Sequence, residues 1–529
     1  MSAQSRSGRP LAGCLLAAAL ACLPAPLTAQ TFAVDDPALA AIWREGMERS
    51  RVEPLAQALL DSVGPRLTGS PGHAAGNAWL EAIYAGWGIA ARSEPYGTWR
   101  AWRRGPTHAD LVAPRVRTLE AMILAWSPGT DGPVEAPVVL LPALADSAAF
   151  HAWLPEARDR FVAVSFPQPT CRPLANWQEF ARPETLERMQ MERAAAQAAW
   201  SERMRAAGVP PRELPVRLAG AGAAGVLTSF WSSGWGVTKV FGTTAQSAPV
   251  LDLSCEDYGL VARLAERDQG PVLRVQAEAE FLGELPVHNT IAEIPGRELP
   301  GEYVVLSAHF DSWDGASGAT DNGTGTVVVL EAMRILREIL PSPRRTILAA
   351  HWGGEEQGLN GSRAFVQDHP EIVAGLQALW NQDDGTGRIE RISTQGLVDA
   401  AAPLARWIAR LPAEISGHLQ LVTPGSPGPG GSDFAAFVCH GAPGFSLSSL
   451  HWDYGTYTWH TNRDTYDKVV FEEVRENAVL MAMLAYLASE DAERVPRTQR
   501  DIFPTNRETG QPLAWPGCQA PERTSAEDR

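Results

Sequence analysis

Apolar side chains near the start of the chain, between residues 35 and 95, recur at the spacing of an amphipathic helix. Leu55, Leu59 and Val63 share one such face. A second helix is predicted from about Ala74 to Trp87, directly before a glycine that can end it. This first segment is therefore expected to be helical.

The pattern changes between residues 111 and 285, where short apolar runs are separated by turns. The runs 138–141 and 161–164 are typical of strands. One long helix, from Glu184 to Ala207, interrupts them and ends at Gly208. We therefore predict an inserted, β-rich domain, and its sequence offers no catalytic chemistry.

Strand and helix patterns alternate from residue 286 onward. The runs 303–308 and 346–350 are apolar and nearly continuous, as parallel strands covered on both faces should be. A helical face between them, marked by Val329 and Met333, indicates a crossover helix and hence a βαβ unit. The predicted fold class is therefore α/β, with a mostly parallel sheet sandwiched by helices.

Composition and charge narrow the functional classes. Hydrophobic residues make up 45% and charged residues 20% of the 529 residues, which is typical of a globular protein with a sizeable core. The formal net charge of −16 disfavours nucleic acid and anionic membrane surfaces as partners. Beyond the N-terminus, no stretch approaches the roughly 18 apolar residues of a membrane span. We therefore predict no nucleic-acid partner and no membrane span.

The N-terminus has the three parts of a secretory signal peptide. Arginines precede an apolar run from Leu11 to Leu23, and small residues then lead to a cleavage site near Ala29. Lipid attachment is a weaker alternative, because the lipoprotein-like sequence before Cys14 lies at the start of the apolar run and the better placed Cys22 has a poorer sequence before it. We therefore predict a secreted or periplasmic protein, in which disulfides can form. The pairing is left open for the cysteines that remain, which are Cys171, Cys255, Cys439 and Cys518.

Histidine and acidic residues follow the strands of the α/β segment, at the edge where sites form in such sheets. His309 and Asp311 follow the first strand, and Asp321 opens the helix after it. Imidazole and carboxylate donors suit Zn²⁺, and one aspartate can bridge two metal ions about 3.5–4 Å apart. Potential ligands on several loops of one sheet therefore predict a two-metal hydrolytic site. The other members of the set are Glu355, Glu356, Asp383, Asp384 and His460.

Most of these residues lie in three blocks of sequence. The blocks are 309–314 with 318–323, 352–359 with 361–362, and 460–465. In these blocks, and in Gly441–Gly444 and Gly64–Ser70, the chain resembles the co-catalytic zinc aminopeptidases. This family includes bacterial leucyl aminopeptidases and plasma glutamate carboxypeptidase-type dipeptidases. The resemblance implies the zinc exopeptidase fold, and it implies that the insert is a protease-associated-type domain.

The resemblance also implies a metal ligand set. Asp321 would bridge two Zn²⁺ ions per chain. His309 and Asp383 would complete one site, while Glu356 and His460 would complete the other. The neighbouring aspartate after Asp383 is disfavoured by the family's Asn-x-Asp spacing. The peptide bond that follows the bridging aspartate is expected to be strained.

Two further catalytic roles follow from the same resemblance. Glu355 would be the general base for a metal-activated water, and it would pass the proton to the leaving amine. Asp311 would orient His309. Asp464 would do the same near His460.

One position departs from the family pattern. These peptidases usually carry tyrosine just before the last ligand, where it can donate to the tetrahedral oxyanion, but this chain has Trp459. Tyr454, Tyr457 or His451 could supply the missing donor. A tryptophan at this position also resembles glutaminyl cyclases, which share the fold and use one zinc ion.

The resemblance and the export signal together predict a zinc-dependent exopeptidase, an aminopeptidase or dipeptidase that hydrolyses short peptides. A glutaminyl cyclase is one alternative, which the insert and the long N-terminal region disfavour. A catalytically inactive binding module of the same fold is the other, which the complete ligand set disfavours. A free substrate amine is expected, near Asp433. Whether the protein forms a homodimer is left open.

The expected division of the chain follows these patterns. It comprises a signal peptide at 1–29, an N-terminal helical part of the catalytic domain at 30–110, the insert at 111–285, the zinc peptidase catalytic domain at 286–495 and a C-terminal tail at 496–529.

Overall fold

A computed structural model describes residues 36–505 and 510–525. The predicted signal peptide and the alternative lipid-attachment cysteines lie outside the described residues, so both stay predictions. A search of the described part of the chain finds no helix that is long and apolar enough to span a membrane.

The strands of the described residues join one 14-stranded sheet. They are β1 (Ala90–Ala113), β2 (Arg117–Thr118), β3 (Ala121–Ile123), β4 (Val134–Leu140), β5 (Phe161–Ala163), β6 (Gly225–Thr228), β7 (Val250–Leu253), β8 (Val272–Ile294), β9 (Leu299–His309), β10 (Arg345–Trp352), β11 (Leu376–Gln382), β12 (Ile389–Ser393), β13 (Gln420–Val422) and β14 (Gly444–Ser449).

Helices of very different length connect and cover these strands. They are α1 (Pro37–Glu48), α2 (Val52–Gln57), α3 (Pro71–Gly86), α4 (Ser147–Trp153), α5 (Leu174–Phe180), α6 (Pro183–Ala206), α7 (Leu214–Gly220), α8 (Cys255–Glu266), α9 (Thr324–Ile339), α10 (Asn360–Asp368), α11 (Pro370–Gly375), α12 (Ala401–Ile408), α13 (Ala413–Ser416), α14 (Phe434–Val438), α15 (Tyr454–Tyr457) and α16 (Phe471–Glu490). Short 3₁₀ or π turns occupy Ala58–Val63, Leu154–Ala157, Ala319–Gly323 and Tyr466–Lys468.

Parallel strands form the centre of the part of the sheet that lies after β8. Strand β9 lies between β10 and β11 and is parallel to both, and β14 is parallel to β11. Side chains of β9 alternate between two cores: Val304 packs with α9 and α16, whereas Val305 packs with α10 and α14. The predicted α/β class is confirmed, and α9 is the predicted crossover helix between β9 and β10.

The segment between β1 and β8 extends the same sheet. Strands β4 to β7 are parallel neighbours, and β3 pairs antiparallel with β7. The segment was predicted to be β-rich with one long helix. The structure contains that helix, α6, and four shorter ones, α4, α5, α7 and α8. Two of them begin at side-chain caps, since Asp146 accepts from the N–H of Ala149 and Ser254 accepts from that of Asp257.

Two long strands link this segment to the catalytic part. Strands β1 and β8 pair antiparallel along almost their whole length. The predicted boundaries at 110/111 and 285/286 fall inside them. The division into domains therefore stays a prediction, but the chain enters and leaves the insert through one continuous ribbon.

The four cysteines left open by the sequence form two disulfides. Cys171 pairs with Cys255, and Cys439 pairs with Cys518. The second bond attaches the C-terminal segment to the end of α14, where the indole N–H of Trp515 also donates to the carbonyl of Val438, at 3.0 Å. Disulfides of this kind persist in oxidising compartments.

Candidate metal centre and active site

The carboxyl ends of three adjacent parallel strands bring the predicted site residues together. His309 is the last residue of β9, Asp383 directly follows β11, and Glu356 lies in the turn after β10. Asp321 lies in the irregular turn before α9, and His460 lies between α15 and α16. This is the edge at which open α/β sheets form their sites.

The first cluster consists of His309, Asp321 and Asp383. Nε2 of His309 lies 3.0 Å from Oδ1 of Asp383 and 3.3 Å from Oδ1 of Asp321. One ligand atom of each residue lies within 4.8 Å of the others, close enough to hold one metal ion. Asp384 is directed elsewhere, because its Oδ1 accepts from the N–H of Ser449 at 3.0 Å.

The second cluster consists of Asp321, Glu356 and His460. Nε2 of His460 lies 3.1 Å from Oε2 of Glu356 and 3.3 Å from Oδ2 of Asp321. The two oxygens of Asp321 therefore face different clusters. A single carboxylate in this position can contact two metal ions at once.

The polar atoms of the clusters fit bound cations. Among the described residues, Oδ2 of Asp321, Oε1 of Glu356 and Nδ1 of His460 are buried without a hydrogen-bond partner, and such atoms are rare in folded proteins unless a ligand or water satisfies them. The carboxylates outnumber the two imidazoles, since Asp383 and Glu355 are also present. Imidazole nitrogen and carboxylate oxygen are donors that suit Zn²⁺.

Crowding of carboxylates also changes their acidity. Burial, reinforced by the negative charge of Asp383, raises the pKa of Glu355 well above its usual range. Burial and the charge of Asp321 raise the pKa of Glu356 to about 7. In both cases burial is the largest cause, and the neighbouring negative charge acts in the same direction.

Asp311 holds the turn that carries Glu355 and Glu356. Its carboxylate accepts hydrogen bonds from the N–H groups of these two residues, at 3.1 and 3.2 Å, and from the hydroxyl of Thr68, at 3.2 Å. The contact with Nδ1 of His309 is made by its main-chain carbonyl at 2.9 Å, whereas the nearest carboxylate oxygen is 3.7 Å away. The expected orientation of His309 thus involves the main chain of Asp311 more closely than its side chain.

Asp464 was expected to orient His460, but among the described residues its carboxylate hydrogen-bonds with the turn that carries Asp321 and not with His460. Its carboxylate accepts from the N–H groups of Thr320, at 2.7 Å, and Asp321, at 3.0 Å. The reason is that the first N–H groups of this turn lack helical partners and need an acceptor. The Asp321–Asn322 peptide bond, for which an unusual geometry was expected, is cis.

A segment of the insert, residues 238–241, holds the loop that carries His460. The N–H of Val240 donates to the carbonyl of His460 at 2.9 Å, and the ammonium of Lys239 donates to the carbonyl of Trp459 at 3.1 Å. The same ammonium lies 4.1 Å from the centre of the Trp459 ring, and the Phe241 ring lies 5.0 Å from that of His460. Sequence reasoning missed these contacts, because the segment carries no recognisable motif.

A cavity of about 460 Å³ opens beside both clusters, a size typical of small-ligand sites. Its lining residues are Asp321, Glu355, Glu356, Gly358, Leu359, Arg363, Asp383, Gly430, Gly431, Tyr454, Trp459 and His460. Of the three predicted oxyanion donors, only Tyr454 lines the cavity; Tyr457 and His451 are exposed outside it.

Asp433 does not reach the cavity where a substrate amine was expected to meet it. Its side chain is fully buried, and neither carboxylate oxygen has a hydrogen-bond partner among the described residues. Burial raises its pKa to about 7. The glycine-rich loop before it does line the cavity, through Gly430 and Gly431, whereas the Asp433 side chain does not.

Known sequences are similar to this chain, most clearly in the part that contains both clusters. Residues 289–485 match the model of peptidase family M28. Carboxypeptidase Q of Bos taurus is 25% identical over 443 residues, which cover 83% of this chain and 85% of that protein. Carboxypeptidase Q of Xenopus laevis is 25% identical over 403 residues, covering 75% and 76%.

Solved structures share the fold. A peptidase M28 precursor from Shewanella amazonensis superposes with a TM-score of 0.65 at 23% identity, covering 87% of this chain and 97% of that one. The zinc aminopeptidase BSAP of Bacillus subtilis has a TM-score of 0.53 at 17% identity, covering 85% and 96%. The central sheet and its helices therefore belong to a known architecture.

Proposed function

We propose that the protein, a metallopeptidase whose residues 289–485 match the model of peptidase family M28, is an exported di-zinc exopeptidase that hydrolyses short peptides. The relatives named carboxypeptidase Q and the structural neighbour named a zinc aminopeptidase support an exopeptidase and support zinc. The two disulfides support a location outside the reducing cytoplasm.

The observation that carries the two-metal proposal is the position of Asp321 between two clusters. One of its oxygens lies 3.3 Å from Nε2 of His309, and the other lies 3.3 Å from Nε2 of His460. Asp383 and Glu356 complete the two sets, so each cluster would offer a metal ion one imidazole, one carboxylate of its own and one oxygen of Asp321. Two bound zinc ions would acidify a water molecule and polarise the peptide carbonyl.

Glu355 is the general base in this proposal. Its carboxylate lines the cavity beside both clusters without belonging to either of them. It accepts a proton from the attacking water and transfers it to the nitrogen of the departing amine. Asp311 accepts hydrogen bonds from the N–H groups of Glu355 and Glu356 and thereby holds the base and the neighbouring metal ligand in place.

The proposal is tested by metal analysis combined with a substrate screen. We expect two zinc ions per chain at saturation, hydrolysis of unblocked dipeptides, and little hydrolysis of the same dipeptides after N-acetylation. A peptide that begins with glutamine should be hydrolysed and not converted to pyroglutamate. One tightly bound zinc ion together with cyclisation would favour the glutaminyl cyclase alternative, and comparable cleavage of acetylated and free dipeptides would contradict the exopeptidase.

Tyr454 is the proposed donor to the oxyanion. Burial, and then the negative charge of Asp321 and Asp383, raises the pKa of its phenol well above the ordinary value, so the hydroxyl keeps its proton. Tyr454→Phe is therefore expected to lower kcat by about 10²–10³-fold, the usual effect of removing one such donor. Steady-state kinetics measure this, with Tyr457→Phe as the matched control outside the cavity. An unchanged kcat in Tyr454→Phe would assign the oxyanion contact to another group.

A further inference from the structure

Arg363 stands apart from the other side chains of the cavity. Among the described residues that line it, Arg363 alone carries a permanent positive charge, while Asp321, Glu355, Glu356 and Asp383 are acidic. It lies in the first turn of α10, immediately after the turn that carries Glu355. A guanidinium in this position faces the same space as the catalytic groups.

The guanidinium is only partly used by the protein. Its Nη1 donates to the carbonyl of Gly358 at 2.7 Å. The charges of Asp433 and Glu355 act on it from a distance, but in residues 36–505 and 510–525 no carboxylate lies within ion-pair distance. The side chain is half-buried. An arginine has five N–H donors in a rigid planar fork, so most of the fork is available to a molecule in the cavity.

We propose that Arg363 binds a carboxylate of the substrate and thereby makes short peptides with a free carboxylate the preferred substrates; this rests on the proposed exopeptidase function. Guanidinium groups bind carboxylates through paired, charge-assisted hydrogen bonds. In a dipeptide the terminal carboxylate is one residue from the scissile carbonyl, and adjacent Cα atoms are only about 3.8 Å apart. A cavity that holds the scissile bond beside Glu355 therefore also holds that carboxylate.

The rest of the lining leaves this wall as the place for a free carboxylate. Metal ions held by Asp321, Glu356 and Asp383 would engage the water and the scissile carbonyl, and Glu355, which belongs to neither cluster, would repel a carboxylate placed beside it. The wall formed by Gly358, Leu359 and Arg363 offers it a cation and two residues without charge. An acidic side chain of the substrate has the same chemistry as its C-terminus, and the two sources are separated by choice of substrate.

The test compares three substrates with the zinc-loaded enzyme: Ala-Leu, its C-terminal amide Ala-Leu-NH₂, and Ala-Glu-NH₂, which carries a carboxylate only on its side chain. In Arg363→Gln, which removes the charge, KM for the substrate whose carboxylate Arg363 binds is expected to rise by about 10- to 100-fold, as loss of a charged hydrogen-bonded pair predicts. Hydrolysis of Ala-Leu-NH₂ should be unchanged. Arg363→Lys should restore part of the affinity.

The outcomes separate this inference from the function on which it rests. A selective KM effect on Ala-Leu identifies the C-terminus as the bound group, and one on Ala-Glu-NH₂ identifies the side chain; either supports the role of Arg363. Equal losses on all three substrates, or wild-type enzyme that treats all three alike, would overturn it while leaving the peptidase intact. Failure of the wild-type enzyme to hydrolyse any of them would remove the proposed function, and this inference with it.

Discussion

Replacing Glu355 by glutamine is expected to leave both metal ions bound and to lower kcat by about 10²–10⁴-fold, the usual contribution of a general base. The amide has nearly the shape of the carboxylate but cannot accept the proton of the attacking water. Metal retention is expected because neither cluster includes Glu355. The turn is held by the main-chain N–H of residue 355, which donates to Asp311, and this bond does not depend on the side chain at position 355.

The neighbouring glutamate provides a matched comparison. Glu356→Gln changes the next residue of the same turn by the same atoms, but its carboxylate lies 3.1 Å from Nε2 of His460 in the second cluster. This variant is expected to lose affinity for one metal ion. Zinc content after dialysis and single-turnover hydrolysis distinguish the two variants. Loss of metal from Glu355→Gln, or full activity in it, would show that Glu355 does not act as the base.

Much of the catalytic fold could be predicted because its local and global signals agree. The apolar runs of β9 and β10 are buried on both faces, so their hydrophobicity is continuous and hard to mistake. Helix α9 follows from the regular spacing of its apolar side chains. The helices of the insert were mostly missed, because α4, α5 and α7 have only 7 residues each and show less than two full heptads of periodicity.

Part of the site could be predicted from the sequence, and part could not. His309, Asp321 and Asp383 could be proposed as a group because strand ends of a parallel sheet meet at one edge. The contacts of Asp464 and of residues 238–241 could not, since they depend on how separate loops pack. The His460 carbonyl accepts from Val240, a residue 220 positions earlier in the chain, and no spacing rule predicts such a pair. The burial of Asp433 was hidden for the same reason.

Metal binding should respond most strongly to the aspartate shared by the two clusters. Asp321→Asn keeps the size of the side chain, but an amide offers one oxygen acceptor where the carboxylate offers two. Since Oδ1 faces His309 and Oδ2 faces His460, the amide group would present N–H donors to one of the two ions. We expect no more than one zinc ion to be retained and affinity at the lost site to fall by more than about 100-fold, beyond the effect of changing a residue that only supports a ligand.

Two adjacent aspartates show whether such a loss reflects ligation or folding. Asp383→Asn alters a residue of the first cluster alone, so one zinc ion should weaken while the second cluster keeps its own. Asp384→Asn alters the next residue, which is partly buried and accepts from the N–H of Ser449, and both ions should stay. In a zinc titration followed by calorimetry, Asp384→Asn should bind two ions and Asp383→Asn one. Asp321→Asn should bind at most one. Two tightly bound ions in Asp321→Asn would exclude a bridging role. A single ion in the unaltered protein would mean that only one of the clusters binds metal, because the shared carboxylate then serves no second site.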